Sequence, residues 1–295
     1  MPDQPAAVAE PVTRAIAHVT RLATGPALSP DLRVTLNFHP DRLVEDSSVL
    51  AAMARDGVYR SQFETGTSNG GLTAHPGGDR WTWESRIFGG AYDDADGSLR
   101  PKYGALDRHR SPVGAAPRFG SAHVRLAPHT LAVTTFCFPD SVFRPEHFGV
   151  AAAYALSELA DDRPALFPGE SEPDPLDDYV EAHVHGVVDL ASDVEALVLD
   201  PSFRGTEVED DAQAWDRLGV PVEWHDGWVL PVEELRAHPD YRGPEFVELG
   251  EAVAVDGVLT PRIVGDAVRT GRHDPQHLKR VWHLVARFGR SSRPS

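Results

Sequence analysis

Between residues 9 and 24 the apolar side chains Ile16, Val19 and Leu22 recur at helical intervals and stop at Gly25-Pro26, predicting a short amphipathic helix. Residues 32–38 form a β-like run that ends near His39 and Arg42. Asp46-Ser47-Ser48 can cap a following helix, whose apolar face is Val49, Leu50, Met53 and Ala54, and Gly57 stands where a C-terminal cap belongs. Residues 58–64 alternate as a strand does, and residues 65–71 punctuate it. Residues 81–88 predict a helical turn or two, 122–126 and 131–138 two strands, and 145–160 a helix ended by Asp161-Asp162-Arg163-Pro164.

The second half opens with an acidic, Pro-rich surface connection over 164–178, after which strands resume at 179–188 and 194–199. A helix follows at 210–218, and 220–224 can pair with 228–230 through His225-Asp226-Gly227. Helices close the chain near 231–237 and 276–288, the last with a broad apolar face of Leu278, Val281, Trp282, Leu284 and Val285. The expected class is α+β: a mixed, mainly antiparallel sheet with peripheral helices. Residues 1–29 read as a helix and lead-in, 30–235 as one α+β unit, and 236–295 as a helical extension packed on it.

Composition narrows the function. A hydrophobic fraction of 41% and a charged fraction of 25% are those of a water-soluble domain. The net charge of −17 argues against a general nucleic-acid or anionic-membrane binder. Positive charge nonetheless gathers in one acid-poor third, at Arg42, Arg60, Arg80, Arg100, Lys102, Arg108, Arg110 and Arg118, which suits an anionic ligand or a set of salt bridges. The apolar runs are too short to span a bilayer, and the N-terminus lacks a basic start followed by an apolar core, so a cytoplasmic protein without a Sec signal is expected. Cys137 is the single cysteine, which excludes an internal disulfide and a zinc site with paired-cysteine spacing; within TTFCF it reads as a buried structural thiol.

Two segments carry candidate chemistry. Residues 34–71 combine His39 and Arg42 with Tyr59, Ser61, Glu64, Ser68 and Asn69, more hydrogen-bonding groups than a packed core needs. In YVEAHVHG (179–186), Glu181, His183 and His185 alternate and share one face of a strand. That face is either a solvent-facing polar stripe, a metal site, or the seat of a carboxylate that stabilises a developing cation.

The segments VTLNFHPDR, GVYRSQFETGTSNGG, RIFGGAYD, RPKYGALD, PRFGSAHVRL, YVEAHVHG and VEALVLDPSFRGT resemble a mostly bacterial family defined only as a domain of unknown function, the DUF3626-type proteins. The order of elements more distantly resembles the ADP-ribosyltransferase superfamily. That second resemblance implies NAD as substrate, with His39 (or Arg42) on its adenosine part. Tyr59, Ser61, Ser68 and Tyr92 or Tyr103 would form the nicotinamide pocket, Asn69 would be a further NAD-binding residue, and Glu181 would be the catalytic carboxylate. The pattern departs from that superfamily in having His39-Pro40-Asp41 for its usual His-Gly-Thr/Ser and EAH in place of Glu-x-Glu. The implied enzyme is an ADP-ribosyltransferase or NAD glycohydrolase, with a protein or nucleic-acid acceptor left open. Two alternatives stand beside it: a metal-dependent hydrolase using His183, His185, Glu181 and an aspartate such as Asp200, and a non-catalytic ligand-binding module.

Overall fold

The computed structural model describes residues 9–66, 74–162 and 174–291. Its centre is an eight-stranded sheet built from β1 (Val34–Phe38), β2 (Lys102–Leu106), β3 (Ala122–Leu126), β4 (Thr134–Phe138), β5 (His147–Val150), β6 (Glu181–Val184), β7 (Val194–Leu199) and β8 (Val222–Trp224). The strand order is β8-β7-β3-β1-β2-β6-β4-β5, antiparallel throughout except for the parallel β7–β8 pair. The fold is therefore α+β with a mixed, mainly antiparallel sheet.

Alternation gives the sheet two different faces. One carries Val34, Leu36, Phe38, Val124, Phe136, Ala182 and Leu197, and is covered by helices α2 (Val49–Asp56) and α4 (Glu207–Arg217) through Leu50, Met53, Ala212 and Trp215. The other carries Thr35, Asn37, Tyr103, His123, Thr135, Cys137, Glu181 and His183. It is covered too: helix α1 (Glu10–Thr20), helix α3 (Asp79–Ile87) and the residues after α3 bring Val12, Val19, Ile87, Phe88 and Tyr92 over part of it. The 111–120 loop covers another part, with the Ala115 and Ala116 amides donating to Thr35 and Asn37.

Helices α5 (Pro244–Val253), α6 (Pro261–Arg269) and α7 (Pro275–Phe288) form a further apolar cluster around Trp228, Leu235, Val264 and Trp282. The cluster is fastened to the end of β1. His39 stands edge-on to Trp282 at 5.3 Å, and the Trp282 indole N–H donates to the Pro117 carbonyl at 2.9 Å. Among the described residues no helix is long and apolar enough to cross a membrane.

Several expected elements differ, among them the 131–138 strand, which starts only at Thr134 because Pro128–Val133 turns as a 3-10 helix. Over 58–64 only Val58–Tyr59 is a strand, paired with Val188–Asp189; Gln62–Thr65 is a helical turn because the Glu64 carboxylate accepts the Ser61 amide at 2.7 Å, half of a capping box. Within 145–160 the helix is only Leu156–Asp161, since His147–Val150 alternates as an edge strand against β4. The 220–230 hairpin does not form. His225 is buried there, bonded to the Ser121 carbonyl and the Gly227 amide, and Leu230–Pro231 pairs instead with Val258–Leu259. The strand expected over 179–188 is cut to Glu181–Val184 by Gly186, at φ +80°.

Candidate functional site

β1 pairs with β2 at only two positions, Val34↔Leu106 and Thr35↔Ala105, but with β3 at four. Past Thr35 the first two strands part. Gly104 permits the close approach at that fork, because a Cβ there would lie 2.4 Å from the Thr35 carbonyl oxygen and 2.3 Å from Leu36 Cδ2. The opening is a cleft of about 680 Å³, within the range of small-molecule sites. Phe38 and His39 come from one strand and Lys102 and Tyr103 from the other, while Arg42, Tyr59 and Ser61 complete the wall.

Eight of the residues singled out in the sequence thus meet in one cleft: His39, Arg42, Tyr59, Arg60, Ser61, Glu64, Lys102 and Tyr103. Their states differ. Burial foremost, helped by Arg42 and Lys279, lowers the His39 pKa to about 3, so its imidazole is neutral at physiological pH. Burial pushes the Tyr59 phenol up to about 12. The Ser61 hydroxyl is already committed, donating to the Gly97 carbonyl at 2.7 Å. Tyr92 is not in the cleft: fully buried beneath the covering helices, it places its hydroxyl 2.7 Å from His185 Nδ1. Ser68 and Asn69 lie outside the described residues.

Glu181, His183 and His185 are 7, 0 and 2% exposed, so the stripe faces the interior and not solvent. They belong to one buried hydrogen-bonded chain. Tyr92 meets His185, whose Nε2 is 2.9 Å from Thr135 Oγ1; Thr135 Oγ1 is 3.1 Å from His183 Nδ1, and His183 Nε2 is 2.8 Å from Glu181 Oε1. One assignment of hydrogens satisfies every member. Tyr92 donates to His185, His185 to Thr135, Thr135 to His183, and His183 to the Glu181 carboxylate. Burial holds His185 well below its usual pKa, in keeping with a neutral imidazole in that series.

The carboxylate itself stays ionised. Burial alone would raise the Glu181 pKa, but His183 beside it, and then Arg80, outweigh that and hold it below the ordinary value. Neighbouring Asp140 moves the opposite way, raised by burial and by the Glu181 charge. Two nearby carboxyls are thereby shifted in opposite directions.

Tyr103 joins the cleft to this layer. It lines the cleft, and its ring stands edge-on to His183 at 5.3 Å. Its hydroxyl donates to Glu84 at 2.9 Å and accepts from the Trp83 indole at 3.2 Å, while Arg100 donates to the same Glu84 carboxylate at 2.7 Å. Of the positive residues gathered in this third of the chain, Arg60, Arg100, Arg108 and Arg118 are in ion pairs. Arg42 makes no ion pair among the described residues. Arg80 is buried against Trp83 and Tyr103 with its Nε and Nη1 unpartnered.

The metal set expected from sequence does not assemble. Both His185 nitrogens are taken by Thr135 and Tyr92. Asp200 stands beyond the end of β7, accepting from the Ser202 and Trp228 amides. Among the described residues the group of three metal-type donors close enough to share an ion is Cys137, Glu181 and His183. Cys137, Thr135 and Glu84 are site residues that sequence patterns do not reveal; strand register alone shows Cys137 opposite Glu181 and Thr135 opposite His183.

The family model described as "Protein of unknown function (DUF3626)" matches residues 33–161 and 165–288. No curated protein matches the chain. Among solved structures, DarT of Thermus sp. 2.9 in complex with NAD+ aligns at 13% identity and a TM-score of 0.36, covering 68% of this chain and 97% of that one.

Proposed function

The chain belongs to the DUF3626 family of proteins of unknown function, and from the chemistry of its site we propose that it cleaves the nicotinamide–ribose bond of NAD and passes ADP-ribose to an acceptor or to water. The observation that carries this reading is Glu181: an ionised carboxylate, almost wholly buried, held by His183 at the end of a satisfied chain. Nicotinamide leaves as a neutral group, so the reaction develops positive charge on the ribose and needs no proton donor. A fixed carboxylate in a low-dielectric setting stabilises that charge far more than it would in water.

The cleft supplies the complementary chemistry. Arg42 offers positive charge to the pyrophosphate. Neutral His39 offers hydrogen bonding to the adenosine half, and Tyr59 and Tyr103 offer aromatic surface. Tyr103 is the residue through which a ligand in the cleft would approach the carboxylate layer.

The test is nicotinamide release from NAD by the wild-type chain and by Glu181→Gln, with and without chelator. Release that survives the chelator and drops about 10²–10³-fold in the variant supports the reading. Equal release from both proteins would remove Glu181 from the mechanism.

A further inference from the structure

Cys137 and Glu181 face each other across the β4–β6 pair, and His183 lies two residues along on the same face. Cys137 Sγ is 3.8 Å from Glu181 Oε1 and 3.8 Å from His183 Nε2, and the last two atoms are 2.8 Å apart. We propose that these three side chains form a binding site for a thiophilic divalent cation of the zinc type, and that its occupancy withdraws Glu181 from catalysis.

The geometry fits such an ion. Tetrahedral zinc, with bonds of about 2.0 Å to nitrogen and oxygen and about 2.3 Å to sulfur, needs donors roughly 3.3–3.5 Å apart. Each separation here reaches that value by a change of roughly 0.3–0.5 Å. Thiolate, imidazole and carboxylate together select a soft or borderline cation over magnesium or calcium. Three protein ligands leave a fourth tetrahedral position for a water molecule.

The outer contacts also fit. A zinc-bound histidine donates its second ring N–H to a fixed partner, and Thr135 Oγ1 stands 3.1 Å from His183 Nδ1. The Tyr92–His185–Thr135–His183 chain can reverse its sense, because its hydroxyls rotate and its imidazoles exchange tautomers, at the cost of the bond that Tyr92 donates to His185. On metal binding the His183 proton moves from Nε2 to Nδ1, with each imidazole shifting accordingly. The Cys137 thiol proton is released to solvent, and no electron transfer is involved.

Binding stands on the three ligands alone, whereas the inhibitory consequence rests on the proposed NAD reaction. Zinc and cobalt binding to the untagged full chain are measured by competition with a chromophoric chelator, and the cobalt form by its absorption spectrum. One equivalent should bind, with a thiolate-to-cobalt charge-transfer band. Cys137→Ala and His183→Ala should each lower affinity by at least about 100-fold, and Cys137→Ala should lose the band. Thr135→Val, which keeps all three ligands, should weaken binding by about 10-fold. Circular dichroism confirms that each variant is folded. Absence of binding, or affinity unchanged in folded Cys137→Ala, overturns the site. If zinc binds as described but NAD is never cleaved, the metal site stands and the enzymatic reading falls. NAD cleavage that zinc-loaded wild-type protein performs undiminished overturns the inhibitory role.

Discussion

The Tyr103 ring stands edge-on to the His183 imidazole with centroids 5.3 Å apart, so one side chain borders both the cleft and the buried carboxylate layer. Its hydroxyl serves a different purpose, as one of the groups bonded to Glu84 inside the protein. Tyr103→Phe therefore separates the two roles. Removing the hydroxyl should cost about 1–3 kcal/mol, read by urea unfolding, because it strips a partner from a buried carboxylate. NAD cleavage should change only a few-fold, since the ring stays. A variant with native stability would show that the hydroxyl contact is not formed.

His183 is the hydrogen-bond partner that keeps Glu181 charged inside the sheet. His183→Ala leaves an uncompensated buried carboxylate, a change that typically costs about 3–5 kcal/mol. The Glu181 pKa should rise in response, so residual NAD cleavage should shift its acid limb to higher pH. An unmoved acid limb in a folded variant would argue that His183 has no hold on the carboxylate.

Asp41 predicts a pH effect on stability. It is buried with Oδ2 unpartnered, and burial foremost raises its pKa from 3.8 to about 6, against the pull of Arg269 and Arg42. A folded-state pKa above the unfolded one means the folded protein binds this proton more tightly. The favourable contribution is full below about pH 4 and is lost as pH rises through about 6. Asp41→Asn, which is always neutral, should be more stable than wild type at pH 8 by up to about 3 kcal/mol, with the advantage vanishing near pH 4. Urea midpoints of both proteins at the two pH values decide it; a pH-independent difference would mean Asp41 is ionised in the fold.

Parts of this molecule are legible without coordinates. The 122–126 and 194–199 strands have the bounds that alternation and apolar runs predict, because both are flanked by turn residues and serve a single sheet. The cleft residues His39, Arg42, Tyr59 and Ser61 stand out because they crowd a short polar segment. What fails is the sense of a face. Alternation in EAHVH tells which residues point together, and an antiparallel strand usually turns such a face to water. Here α1, α3 and the 111–120 loop cover it, and nothing local to β6 announces them. Cys137 is hidden for a related reason: with both faces of β4 buried, TTFCF reads as an apolar run, and only its register against β6 sets the thiol opposite Glu181. His39 likewise shows no sign in sequence of its contact with Trp282, which comes from the far end of the chain.

Arg80 sets stability against function. Its guanidinium is buried over the Trp83 and Tyr103 rings, 4.6 and 4.1 Å from their centroids, with Nε and Nη1 lacking partners. Stacking on the rings returns only part of the cost of taking a cation out of water. Its electrostatic effect reaches Glu181 and Glu84, lowering the pKa of both against the upward push of burial. A residue placed at such expense is best explained by what its charge does for the carboxylate. Arg80→Met keeps much of the volume and removes the unsatisfied charge, so the variant should be as stable as wild type or more stable, by on the order of 1 kcal/mol. NAD cleavage should fall, and its acid limb should move to higher pH as Glu181 loses the nearby cation. Thermal unfolding and the pH profile of nicotinamide release are measured on the same preparations. A variant that loses several kcal/mol of stability would make Arg80 a structural residue; one that gains stability and keeps its pH profile would detach it from Glu181.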